Sequence, residues 1–462
     1  MDRTKRIASL LSDVLGSGKV FTDRDILLSY STDETSDLSH MPDILVRAET
    51  AEDVSRAMSV CNENLFPVIP RGAGSGVTGG AVPVSGGLVL SLEKMKRIIE
   101  IDRENMVAVV EPGVITGDLQ REALSEGLMY PPDPASLDIC SIGGNVAEIA
   151  GGPRAVKYGT TRDYVLGLEI VLPDGSIIST GGKFVKNATG YNLTGILLGS
   201  EGTLAVITKI YLRLIPAPLH TLDLLVSFDS IESAIESVFR ILKARIVPST
   251  IEFMEEDAIK LANGFLKGAF PFPEARAHLL IQLDGKSEDQ VNEDLALVAE
   301  ILGSGEERIV VAQSGAQREK LWKARRSIRE AIHEESPVFL AEDCVVPRSM
   351  IPRFLVEVKG YLNGLGLRSV MFGHAGDGNV HMDVLKGGMD YDQWTGIIPG
   401  LKREIYGRAI SLGGTITGEH GIGYIRREYL GMALSEAELA LIKRIKQAFD
   451  PNGILNPGKI FQ

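Results

Sequence analysis

The stretch VIPRGAGSGVTGGAVPVSGG, residues 68–87, limits the possible folds more than any other part of the chain. It contains Gly74-Ser75-Gly76-Val77-Thr78-Gly79, a G-x-G-x-x-G string. In a Rossmann fold that string follows a strand and opens directly into a helix. The apolar run Leu65 to Ile69 supplies the strand. No helix can follow, because Gly80, Pro83, Gly86 and Gly87 come next, and Gly costs about 1 kcal/mol and Pro about 3 kcal/mol in a helix interior. The segment therefore reads as a long loop that runs into another strand, GLVLSL. Seven glycines within residues 72–87 let the main chain approach a ligand with no side chain in the way. Successive N–H groups in such a loop can converge on a phosphate. A mobile surface turn is the alternative, and the density of glycine directly after an apolar strand favours the ligand reading.

The chain has 462 residues, of which 44% are hydrophobic, and a formal charge of −13. That length suits two to four domains with a large core. The acidity argues against nucleic acid or an anionic membrane as main partner, and an anionic substrate needs a locally positive site. Cys61, Cys140 and Cys344 are far apart. They are too few for an iron–sulfur cluster, which takes four, and form no disulfide framework. No apolar run approaches 18 residues, so no transmembrane segment is expected. The N-terminus MDRTKRIASLLSDVLGSG reads as an amphipathic helix rather than a signal peptide. A soluble, cytoplasmic protein is the expectation.

Up to about residue 215, short apolar strands alternate with glycine-rich turns. DILVRAET is a strand, and Thr50 is the candidate N-cap of the helix after it. YVLGLEIVLPDGSII reads as two strands around an Asp174-Gly175 turn. GTLAVITKIYLRLIP is a further strand. Beyond Pro218 the texture changes. TLDLLVSF, STIEFME, RAHLLIQLDG, ERIVVAQ and FLAEDCVVP are strands separated by long helices, one of them GAQREKLWKARRSIREAIHEE. This pattern predicts an α+β region with helices on one face of a sheet. The chain ends in a helix and a Pro/Gly-rich tail. The expected division is 1–217, 218–425 and 426–462.

The second chemical constellation is GHAGDGNVHMDV (373–384) with TGEHGIG (417–423). His374 and His381 flank a Gly-Asp-Gly turn, and Gly376 and Gly378 exclude a helix between them. Glu419 and His420 stand in a second glycine-bounded turn. Two imidazoles and a carboxylate can make a three-ligand divalent site with open positions. Ordinary polar loop residues are the bland reading. Three of the seven histidines in the chain fall in these two short motifs, which favours metal or catalytic use.

Three ordered motifs, PRGAGSGVTGG, the segment PPDPASLDICSIGGNVAEIAGGPRAVKYGTT and GSEGTLAVIT, resemble the flavin domain of the vanillyl-alcohol oxidase/PCMH superfamily over about residues 40–217. The resemblance implies FAD held between two α/β subdomains. It assigns Arg71, Gly72, Ala73, Gly74, Ser75, Gly76, Thr78 and Gly79 to the pyrophosphate loop. Pro132, Asp133, Ser136, Gly143, Gly144, Asn145, Gly159, Glu201, Gly202 and Ile207 would line the cofactor. Some members attach flavin to a histidine in the first loop; Ser75 stands there, so non-covalent FAD is expected. Cys140 lies near a position where a few relatives form a thioether, but its surroundings differ, and a buried structural role is expected.

The C-terminal motifs, with the tail FDPNGILNPGKIF, resemble those of the FAD-linked D-2-hydroxy-acid dehydrogenases, which include D-lactate dehydrogenase, the glycolate oxidase flavin subunit and D-2-hydroxyglutarate dehydrogenase. The resemblance makes His374, His381 and Glu419 ligands of a divalent metal (Zn, Fe or Mn), His420 the general base, and Asn379 a neighbour of flavin or substrate. It places Arg325, in LWKARRSIRE, at the clamp for the substrate carboxylate, for which a guanidinium fork is suited. FLAEDCVVP lacks the lysine of 2-hydroxyglutarate-type relatives, which favours a small monocarboxylate such as D-lactate or glycolate. Electrons are expected to leave through a partner, an electron-transferring flavoprotein or an iron–sulfur subunit. Non-redox alkyl transfer on the same fold, and a flavin-carrying subunit with a silent site, are the other classes. The alkyl transferase's run of adjacent histidines is missing from this sequence.

Overall fold

The computed structural model describes residues 3–268, 270–303 and 308–461. The chain divides into two compact units. One comprises 1–151, 160–217 and 419–462; the other comprises 152–159 and 218–418.

Within the first unit, β1 (Val20–Phe21), β2 (Ile44–Arg47), β3 (Val68–Arg71) and β4 (Leu88–Ser91) form a sheet of order β1-β2-β4-β3. β2, β4 and β3 run parallel. Their continuous apolar runs follow from burial of both faces. The helix Arg3–Leu15 buries Ile7, Leu11 and Leu15, one turn apart, in a core shared with Val54, Ala57, Met58 and Cys61 of the helix Ala51–Glu63. Thr50 caps that second helix through a reciprocal pair with Asp53. The strand before the glycine-rich loop begins at Val68, later than the apolar run suggests. Leu65 adopts φ 51° and is exposed, because the chain reverses there at the end of the helix.

No helix lies between β3 and β4, although neighbouring parallel strands are usually joined through one. The G-x-G-x-x-G string is thus part of a loop, as the glycines and the proline that follow it require. A second, antiparallel sheet has the order β5-β6-β10-β8-β9, built from β5 (Ile98–Asp102), β6 (Val107–Val110), β8 (Val165–Val171), β9 (Ile177–Gly181) and β10 (Val206–Arg213). β7 (Leu128–Met129) pairs separately with β11 (Ile215–Pro216). Gly175, at φ 89°, closes the tight turn between β8 and β9.

In the second unit, β12 (His220–Phe228), β13 (Thr250–Glu255), β14 (Ala277–Gly285), β15 (Arg308–Val311), β16 (Phe339–Val345), β17 (Ser369–His374) and β18 (Asn379–Leu385) form one antiparallel sheet of order β15-β12-β14-β13-β17-β18-β16. Helices cover both faces, where the sequence pattern suggested one. Leu225, Met254, Leu280, Val370 and Phe372 pack on the helices Glu256–Phe265, Gly315–Arg326 and Ile328–Glu335. On the other face, Tyr406 of the helix Tyr391–Ser411 donates to Glu342 on β16. The long helical segment after residue 314 breaks at Ser327, which ends one helix and starts the next. Among the described residues no helix is long and apolar enough to cross a membrane.

His278, on β14, is fully buried against Phe270, and neither ring nitrogen has a hydrogen-bond partner. Burial pushes its pKa down to about 4. The unfolded chain therefore takes up this proton near pH 6.5 and the folded chain only near pH 4, so stability is lost as pH falls through that window. We expect this histidine to cost the second unit about 2 kcal/mol between pH 7 and 5. Urea unfolding at the two pH values should show that increment vanish in His278→Phe; an equal loss in the variant would refute it.

Candidate active site

In the first unit, the residues assigned to the cofactor loop follow directly from β3. Arg71 closes the strand and turns inward, donating to the carbonyl of Thr32 at 2.7 Å over the ring of Tyr30. Its burial lowers the guanidinium pKa from its ordinary value. Gly72 faces Ser141 so closely that a Cβ would strike the hydroxyl, and Gly143 is likewise pressed against Pro112. Ser141 Oγ accepts from Ala73 at 3.3 Å and from Gly144 at 3.4 Å, tying the loop to the start of the helix Ile142–Glu148. Gly74 and Gly79 both adopt φ 74°. Gly76 has open space where a Cβ would stand. Left-handed residues alternating with ordinary ones form the concave main-chain nests that take anions, so the loop fits a pyrophosphate.

Thr78 is buried, and its carbonyl accepts from Tyr424 at 2.8 Å. Gly79 N–H donates to Thr35 at 2.6 Å. Asn145 donates to Thr116 at 2.7 Å, and Thr116 touches Cys140 Sγ at 3.3 Å, which gives that buried cysteine a packing role. Pro132, Asp133 and Ser136 lie in the irregular stretch ahead of Ser141, where the Pro132 carbonyl accepts from Gln120. Gly202 has φ 66° beside Pro70, and Ile207 is buried on β10. The Glu201 carboxylate accepts from the N–H groups of Ile422 (2.8 Å) and Gly423 (2.6 Å), fixing the turn after His420. Gly159 belongs to the second unit, at the end of the short helix Ala155–Tyr158.

In the second unit, His374 and His381 come together as strand geometry dictates. Phe372 pairs directly with His381, and His374 lies two residues further along β17, hence on the same face and diagonal to it. Their Nε2 atoms are 3.3 Å apart. Two nitrogens each about 2.0–2.1 Å from one tetrahedral ion are separated by about that distance. Directly across from His374, on β13, stands Glu252, whose Oε1 is 2.5 Å from His374 Nδ1. A carboxylate on Nδ1 holds the proton there and leaves Nε2 as the lone-pair donor. Burial opposes the Glu252 charge, but His374 and Arg325 together hold its pKa below the ordinary value. The donor set therefore fits a divalent ion.

Arg325 forms an ion pair with Glu252 at 2.6 Å and lies over the Phe372 ring at 4.7 Å. Asp343, opposite His381 on β16, is fully buried. It accepts from Asn379 Nδ2 at 2.5 Å, and from Thr417 Oγ1 and Gly418 N–H at 3.0 Å each. Asn379 Oδ1 is buried with no hydrogen-bond partner. Glu419 and His420 belong to the first unit. The His420 Nε2 lies 4.0 Å from Glu419 Oε1. Gly421, at φ 81°, supplies a left-handed kink directly after the two adjacent side chains.

Glu252 and Asp343 were not singled out by the motifs. The signal was available in STIEFME, where Thr250 and Glu252 fall on one face of the strand, and in FLAEDCVVP, where Asp343 takes a strand-interior position. An acid in such a place calls for a buried partner.

Two family models match the chain: "FAD binding domain" over residues 42–181, and "FAD linked oxidases, C-terminal domain" over 218–460. The glycolate oxidase subunit GlcD of Bacillus subtilis (strain 168) is 40% identical over 459 residues, covering 99% of this chain and 97% of the relative. The D-lactate dehydrogenase of Anaerostipes hadrus is 38% identical over 425 residues, covering 91% and 89%. The D-2-hydroxyglutarate dehydrogenase of Stutzerimonas stutzeri (strain A1501) is 32% identical, covering 98% of each. Among solved structures, p-cresol methylhydroxylase with substrate bound superposes with a TM-score of 0.83 at 21% identity, over 99% of this chain and 96% of that one. At that identity it shows the shared α+β, PCMH-type fold alone.

Proposed function

The chain belongs to the FAD-linked oxidase family, and from that premise we propose that it oxidises a small D-2-hydroxy acid, D-lactate or glycolate, to the 2-keto acid. The observation that carries this reading is the convergence of His374 and His381 Nε2 atoms with Glu252 behind the first. When bound, FAD supplies the hydride acceptor and a divalent ion supplies a lowered pKa for the substrate hydroxyl. His374 and His381 would hold that ion, and by resemblance Glu419 is the third ligand. His420 takes the hydroxyl proton on a ring nitrogen. Arg325, oriented by Glu252, has further N–H edges for the substrate carboxylate. Asn379 is fixed through its amide nitrogen by Asp343, and by resemblance it would sit near the flavin or substrate.

The cofactor is held without a covalent bond, since Ser75 stands at the loop position that carries a histidine in some relatives. FLAEDCVVP, without a lysine, favours a monocarboxylate over 2-hydroxyglutarate. With only three separated cysteines in the chain, electrons pass to a partner, an electron-transferring flavoprotein or an iron–sulfur subunit. Anaerobic addition of D-lactate or glycolate should bleach the flavin within seconds, with L-lactate, malate and 2-hydroxyglutarate far slower. Bleaching by 2-hydroxyglutarate alone would move the assignment to the dicarboxylate class. No bleaching by any hydroxy acid would refute the dehydrogenase reading.

A further inference from the structure

The C-terminal tail is built into the first unit at the glycine-rich loop. Leu455 extends the first sheet as a parallel bridge to Val68 on β3, with Val68 N–H donating to Ile454 and Asn456 N–H to Val68, each at 2.8 Å. Ile454 and Leu455 are buried in the same core as Ile44 and Leu90. The chain then turns through Asn456 at φ 41° and delivers Lys459 underneath the loop. Lys459 is 2% exposed. Its ammonium donates to the carbonyls of Gly79 (2.6 Å), Gly80 (3.2 Å) and Val82 (2.6 Å). Asn456 Nδ2 adds a second donor to Gly80 at 3.0 Å and one to the Glu201 carbonyl at 2.8 Å. A buried lysine that uses its ammonium on main-chain carbonyls, with no carboxylate within ion-pair distance among the described contacts, is an expensive arrangement. Burial pulls its pKa down to about 8, while Asp33, Glu201 and Glu148 support the charge and Arg427 opposes it.

The geometry has a direct effect on the loop. In a trans peptide the N–H that follows a carbonyl points away from it. Drawing the Gly79 and Gly80 carbonyls onto one ammonium sends the N–H groups of Gly80 and Ala81 to the opposite side. A glycine-rich segment has little conformational preference of its own, so an outside anchor decides which way those peptides face.

We infer that Lys459 is a positioning residue for cofactor retention: by holding three carbonyls of residues 79–82, it fixes the peptide orientations with which the loop receives the FAD pyrophosphate. The inference rests on the reading of this loop as the cofactor cradle. The anchor comes from the last residues of the chain, so FAD affinity depends on the docked tail as well as on the loop that the cofactor touches.

The test compares full-length wild type, Lys459→Met and Lys459→Gln, each stripped of flavin. FAD titration is followed by flavin fluorescence, and thermal unfolding of the flavin-free proteins is recorded alongside. Met removes all three donors, and FAD affinity should fall about tenfold to a hundredfold. Gln keeps two N–H donors, so it should recover part of the loss. The flavin-free melting temperature of Lys459→Gln should stay close to wild type, whereas Lys459→Met, which leaves buried carbonyls without that donor, should melt lower. Affinity of Lys459→Met within threefold of wild type would overturn the inference, as would Lys459→Gln binding no better than Lys459→Met. If Lys459→Met does not fold, Lys459→Gln alone decides: a threefold to tenfold loss supports the anchor and an unchanged affinity removes it. Wild-type protein that took up no FAD would instead refute the reading of the loop itself.

Discussion

His420→Asn is expected to keep both FAD and metal while flavin reduction by substrate slows by about 10²–10⁴-fold, the usual worth of a positioned general base. The substitution preserves approximate size and polarity but removes the imidazole that would take the substrate proton. His420 lies 4.0 Å from Glu419, and the turn that carries both is fixed by Glu201 through the N–H groups of Ile422 and Gly423. The turn is therefore held by main-chain contacts of its neighbours, which asparagine at position 420 leaves intact. The loss should appear equally in the turnover rate and in turnover divided by KM, because the interaction is made in the transition state. Stopped-flow reduction with metal analysis of the same sample checks it. A wild-type rate would remove His420 from the role of base.

His374→Ala should lose its metal together with activity, the second large effect. Alanine deletes one of two converging Nε2 donors and leaves His381 as a single imidazole on that face of the sheet. It also removes one partner of the buried Glu252 and, among the described residues, leaves Arg325 as its remaining ion-pair partner. Glu252→Gln makes a graded comparison. It keeps His374 but weakens the hold on Nδ1, so metal affinity should drop about 10–100-fold. If His374→Ala retained stoichiometric metal while His420→Asn lost it, ligand and base would have to be exchanged.

Much of this architecture could be read from local chemistry. Thr50 announced a capped helix, Asp174-Gly175 announced a tight turn, and the glycines and proline after Gly79 excluded the Rossmann crossover. The two histidines around a Gly-Asp-Gly turn were visible because their strand register follows from the turn itself. Glu252 and Asp343 were harder. Each touches its histidine only through pairing with a strand far away in the chain, and the sequence does not state which strands become neighbours. Lys459 was harder still, since nothing in the composition of NPGKIF says that its lysine is buried under a loop nearly 380 residues earlier. The placement of helices on both faces of the second sheet was missed for a related reason. Strand alternation shows that both faces are apolar enough to cover, but helix assignment to a face is a matter of topology.

The return of the tail to β3 also sets an order of events during synthesis. Residues 218–418 make up nearly all of the second unit and leave the ribosome before 419–462, which the first unit needs for its outermost strand pairing and for the ammonium beneath its loop. At about 5–20 residues per second, those last residues take a few seconds to arrive. Over that interval the nascent polypeptide carries the sequence of a complete second unit beside a first unit with an open sheet edge. Residues 454–459 thus bring the first unit both a sheet-edge pairing and the ammonium beneath its loop, and a chain cut before Lys459 would keep most of its core while losing that ammonium.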